Sequence, residues 1–128
     1  MAYNIDMEQA ARRHYDDGVL LADGQRFDNA GYHFGLSTEC VIKHVLYQSY
    51  GLRENDAPWW AHFPSLRNDA DLFVRSRADA SLRKLIEDPS LMQEWDVKMR
   101  YAKNASILAA RASKWKEQAN LALGLLYI

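Results

Sequence analysis

No stretch of this chain alternates apolar and polar residues over the length of a strand, and β-branched residues are few. Apolar side chains instead recur at spacings of three and four almost from end to end. That period matches the turn of an α-helix and not the pleat of a strand, so the chain is expected to be all-α. Its 128 residues make one domain, 1–128, in which roughly two-thirds of the unfolded surface can be buried, enough for one core. There is no internal repeat or low-complexity segment, and three prolines and six glycines leave no room for a long linker.

The pattern places a first helix from about Asp6, a residue suited to an N-cap, to Ala22, with Asp23-Gly24 as its stop. The short link that follows implies an antiparallel hairpin. A second helix is expected from Arg26 or Phe27 to Tyr50, ended by Gly51. It has two apolar stripes, Phe27-Ala30-Phe34-Val41-Val45 and Tyr32-Leu36-Tyr47-Tyr50, so other helices or a partner chain should surround it. An aromatic loop covers Leu52 to Pro64, in which Trp59 and Trp60 are expected to cap the bundle or fill a subunit contact. A third helix starts near Pro64 or Ser65 and breaks in the polar stretch Arg75 to Ala80. A short helix covers Ser81 to Glu87, and another from about Ser90 carries Leu91, Trp95 and Met99. The last helix runs to Ile128, with Ala112, Trp115, Ala119, Ala122 and Leu126 inward. The expected architecture is an up-and-down bundle of four main helices with a shorter one inserted. The surplus apolar surface of the second helix and the small residues of the last point to a homodimer.

Charge and cysteine content narrow the function classes. A net charge of −1 excludes a protein that coats nucleic acid by overall charge, though not one with a local basic patch. The single cysteine, Cys40, makes no internal disulfide, which fits a reducing compartment. The opening MAYNIDMEQAARRHYDDG lacks an apolar signal core, and no apolar run approaches the ~20 residues that cross a bilayer. The expected place is the cytoplasm, with no membrane partner.

The second helix carries most of the reactive groups. Arg26, His33, Ser37, Cys40 and His44 project in nearly one direction, a polar stripe expected to face a groove or a dimer seam. Cys40 and His44 have a metal-chelating spacing, and His14 or His62 would have to complete a zinc site; no paired Cys or His motif is present, so no metal or other cofactor is assigned. Arg26 and His33 could act together on RNA, the first on the phosphate charge and the second on the 2'-hydroxyl proton, but such a spacing arises easily by chance. Glu39 and Lys43 stand one turn apart in the favourable order and read either as an internal clamp or as ligand contacts. Near the last helix, WDVKMRYAKN sets Lys98, Arg100 and Lys103 beside Tyr101, a grouping that suits a phosphate with a stacked base and equally suits a solvated helix end.

Taken in order, AARRHYDDGVLLADG, RFDNAGYHFGLSTECVIKHVLY, a loop ending in HFPSL, and WDVKMRY before a long last helix resemble the HEPN superfamily over nearly the whole chain. Glu39, Lys43, His62, Arg100 and Tyr101 carry the resemblance. It implies a helical bundle that commonly dimerises, in a family with many RNases, often toxins paired with a nucleotidyltransferase, and with nucleotide-binding members. Ribonuclease members typically carry an Arg followed after four to six residues by a His, whereas no histidine follows Arg100 here. Three readings stay open. The first is nucleotide or RNA phosphate binding by Arg100, Tyr101, Lys103 and His62, within a toxin–antitoxin or defence pair. The second is an RNase toxin joining Arg100 to His62 or His33. The third is a non-catalytic interaction module.

Overall fold

The Asp6 carboxylate accepts the Gln9 N–H at 2.9 Å and so starts α1, Met7–Asp23. The reversal after it is made by Gln25, at φ 63°, and not by Gly24. α2 then runs Phe27–Tyr50 and ends where Gly51 takes φ 81°, a left-handed conformation that glycine adopts without a Cβ clash. The remaining helices are α3 Ala57–Trp60, α4 Ser65–Val74, α5 Ala80–Ile86 and α6 Ala109–Leu123. 3-10 turns occupy Arg75–Arg77, Val97–Tyr101 and Gly124–Tyr127. This computed structural model describes residues 3–127, and among them there is no strand.

α2 is the central element. It packs along α1 as an antiparallel hairpin and also touches α6, α4 and the 3-10 turn at Val97–Tyr101. Ala30, Phe34, Ile42 and Leu46 of α2 meet Phe63, Leu66, Leu82, Ile86, Trp95 and Trp115 in the main core. Val41 joins Ala11 and Ala122 in a smaller cluster at the α1–α6 contact. The inner alanines of α6, Ala112, Ala119 and Ala122, are buried inside this one chain. These alanines are thus covered within one chain and do not call for a second copy, while Tyr47 of the second apolar stripe of α2 stays 48% exposed. The exposed large apolar side chains that remain, such as Leu20, Leu72 and Leu121, lie on three different helices.

The helix expected from about Ser90 is absent. Residues 90–108 form turns and the 3-10 segment, with positive φ at Met92 (49°), Glu94 (70°) and Ala105 (64°), which a helix does not accommodate. Side chains of α2 and α6 hold this segment instead. Gln118 accepts the Met92 N–H and donates to the Ser90 carbonyl, both at 2.8 Å. Asp28 accepts the N–H groups of Ala105 and Ile107, also at 2.8 Å. Trp95 enters the core, donates Nε1–H to the Gly31 carbonyl at 3.0 Å and stacks on Tyr32 with an interplanar angle of 7°. Burial of an indole and five tertiary hydrogen bonds outweigh the local helical period. The last helix is also shorter than expected, since α6 gives way to the 3-10 turn after Leu123. Ile128, Met1 and Ala2 lie outside the described residues.

Candidate functional site

Much of the polar stripe of α2 is turned towards α1, although His44 also borders a cleft. Ser37 Oγ donates to the Ala11 carbonyl at 2.7 Å, which explains a fully buried hydroxyl. His44 Nε2 stands 3.6 Å from the Glu8 carboxylate. His33 lies against His14, rings stacked at 5.1 Å between centroids and Nδ1 atoms 2.9 Å apart, so one ring donates and the other accepts. Arg26 lines a separate hollow with Asp28, Asn104 and Ala105, so the Arg26–His33 spacing does not become a joint site.

Burial, then the neighbouring His33 and Arg13, pull His14 down from 6.5 to about 4, while Asp17 opposes the shift. Burial lowers His33 as well, again opposed by Asp17. A group depressed in the folded state binds fewer protons there than when unfolded. Its contribution to stability is therefore complete above pH 6.5 and is lost as pH falls towards 4. The melting temperature should fall across that window, and His14→Gln should fall less. Equal acid losses in the two proteins would show that the histidine pair does not carry the effect.

Metal chemistry finds little here. Burial pushes the Cys40 thiol up to about 11, against the opposing charge of Lys43, so it is protonated at neutral pH and a poor ligand. No three His, Cys, Asp or Glu side chains among the described residues gather to hold an ion.

Glu39 is 2% exposed and is held by the segment before α4. Its Oε2 accepts the Phe63 N–H and its Oε1 faces His62 Nδ1, each at 2.8 Å. With the carboxyl ionised, Nδ1–H donates to Oε1. Burial raises Glu39 above its usual range, and the His62 and Phe63 hydrogen bonds and the Lys43 charge oppose it. Lys43, 6% exposed, is lowered by burial and supported by Glu39, yet among the described residues no carboxylate lies within 4.0 Å of it. The clamp expected between Glu39 and Lys43 is thus a through-space charge interaction, and the direct partners of Glu39 are His62 and the Phe63 backbone.

Arg100 lies on the 3-10 turn that crosses α2 near Tyr32, and its side chain is exposed. Nε donates to the Val97 carbonyl at 3.3 Å. The guanidinium sits 5.7 Å from the Tyr32 ring centroid and 5.6 Å from that of Tyr101, within cation–π range of both. Among the described residues no carboxylate pairs with it. Tyr101 is 81% exposed and Lys103 is also at the surface. His33 is engaged with His14 and His62 with Glu39, so neither histidine shares a hydrogen-bond partner with Arg100.

Tyr32 is the component that sequence reading missed. It passed for one member of an apolar stripe, but it links Arg100 to Trp95. Gly31 and Gly35, one turn apart on α2, were the available signal, because glycines at that spacing mark the close approach of a bulky side chain. Trp59 is nearly buried and packs near Tyr47, while Trp60 is 69% exposed. Of the clefts, the one at the Tyr47 end of α2 has about 700 Å³ and is lined by Ile5, Glu8, His44, Tyr47, Arg53 and Trp59; neither Arg100 nor His62 borders it. No helix among the described residues is long and apolar enough to cross a membrane. Comparison with protein-family models, with curated proteins and with solved structures found no match.

Proposed function

We propose that this chain is a HEPN-like helical domain that binds the phosphate of a nucleotide or of RNA at Arg100. The observation that carries the reading is the state of that side chain: an exposed guanidinium held against two tyrosine rings, with no carboxylate pairing among the described residues. Orientation by the rings leaves the planar fork ready to take two phosphate oxygens. Tyr101 offers a free ring face to a base, and Lys103 adds a point charge for a neighbouring phosphate. The rival role for Arg100, an internal partner of Glu39, is weakened because His62 and Phe63 occupy that carboxylate.

Fluorescence anisotropy with a short labelled single-stranded RNA, and competition by a mononucleotide, tests the reading. Arg100→Lys should weaken binding about tenfold, since an ammonium replaces a two-pronged contact with a single one. Lys103→Ala should reduce the salt slope of RNA binding by about 0.7. Wild-type protein that binds neither probe would refute the proposal.

A further inference from the structure

The Glu39–His62 pair has a geometry that phosphate binding at Arg100 does not use. Glu39 is buried and fixed from two sides, so it holds His62 by Nδ1. The His62 side chain is 42% exposed, and its other ring nitrogen, Nε2, makes no hydrogen bond among the described residues. One turn along α2 stands Lys43, 94% buried yet with no hydrogen-bond or ion-pair partner among the described residues. A lysine so deeply placed normally has a partner. Among the described residues no buried side-chain nitrogen or oxygen is orphaned, and Lys43 keeps 6% of its surface exposed. An oriented imidazole, a carboxylate behind it and an unpartnered cation on the same helix as that carboxylate form a set that fits an anionic electrophile.

We infer that His62 is a phosphoryl-accepting histidine, with Nε2 as the nucleophile, Glu39 as its positioning residue and Lys43 as the charge that meets the incoming phosphoryl oxygens. The donor class is a small acyl phosphate or phosphoramidate. The Nε2 lone pair attacks phosphorus while the bond from phosphorus to the donor's oxygen or nitrogen breaks. The leaving carboxylate or amine departs with that electron pair, and the amine takes its proton from water. The proton on Nδ1 stays in place, so the ring becomes a cationic N-phosphoimidazole. Glu39 lies directly behind that new charge, as the carboxylate of an Asp–His pair does in serine hydrolases.

The test incubates the full chain with acetyl phosphate or with phosphoramidate, and follows intact mass, acid lability and ³¹P resonance. One phosphoryl group should be gained on Nε2 of His62, and His62→Gln should abolish it. Glu39→Gln and Lys43→Met, checked for folding by circular dichroism, should each slow the gain at least about tenfold, the order expected when a charge facing the developing one is removed. If Glu39→Gln does not fold, Lys43→Met alone decides. Modification that falls equally on His44, or a rate at His62 unchanged in the folded variants, would show reactivity set by exposure alone and would overturn the inference. None of these outcomes depends on Arg100, so this site and the phosphate site stand or fall separately.

Discussion

Replacing Trp95 by Ala is expected to cost about 3–5 kcal/mol, which for a domain of this size lowers the melting temperature by roughly 15 °C. Trp95 is 1% exposed, stacks on Tyr32 and meets Phe63 edge-on at 6.2 Å. Its removal would leave a cavity between α2 and a segment whose own backbone structure is only turns and a short 3-10 helix. The same contact predicts the effect of Gly35→Ala. A Cβ at position 35 would stand 2.0 Å from Trp95 Nε1, so the indole must leave its seat, at a cost of about 3 kcal/mol, the upper end of usual overpacking. The two changes should be strongly non-additive, because without the indole the extra methyl has nothing to strike. Thermal melts of the two single variants and the double variant check this. A double variant as unstable as the sum of the singles would contradict the packing.

Glu39→Ala is expected to destabilise the protein by about 3 kcal/mol. The change strands the Phe63 N–H, which alone costs about 1–3 kcal/mol when buried, and removes the charge that compensates the buried Lys43. Glu39→Gln keeps one acceptor and should lose less than half as much. Urea denaturation gives both values. A Glu39→Ala variant within about 0.5 kcal/mol of wild type would mean that the carboxylate does not hold the α2–α4 junction.

The helices were legible where local signals act alone. Asp6 caps, Gly51 terminates, and the period of α2 persists because other elements cover most of that helix. The stretch from Ser90 was misread because Leu91, Trp95 and Met99 repeat at helical spacing, while the groups that unwind it, Gln118 and Asp28, are remote in sequence. Glu39, Lys43 and His62 were recognisable as a set. Their wiring was not, since spacing along one helix favours the Glu39–Lys43 pair, whereas folding delivers His62 to the carboxylate at hydrogen-bond distance. The polar stripe facing α1 is a similar case: periodicity shows which residues share a face, but not which neighbour covers it. Arg100 beside Tyr101 was visible in sequence, and the second ring, Tyr32, lies 68 positions away and needed the fold.

The most direct test of the phosphate site is to measure RNA affinity and melting temperature on the same preparations of wild type and Arg100→Ala. An exposed guanidinium over two tyrosines contributes about 0.5–1 kcal/mol to folding, so the melting temperature should move by only a few degrees. Affinity should fall by tenfold or more, about 1.4 kcal/mol, because the charge and both hydrogen bonds to phosphate go together. A folded Arg100→Ala protein that binds RNA and mononucleotide as tightly as wild type would contradict the account.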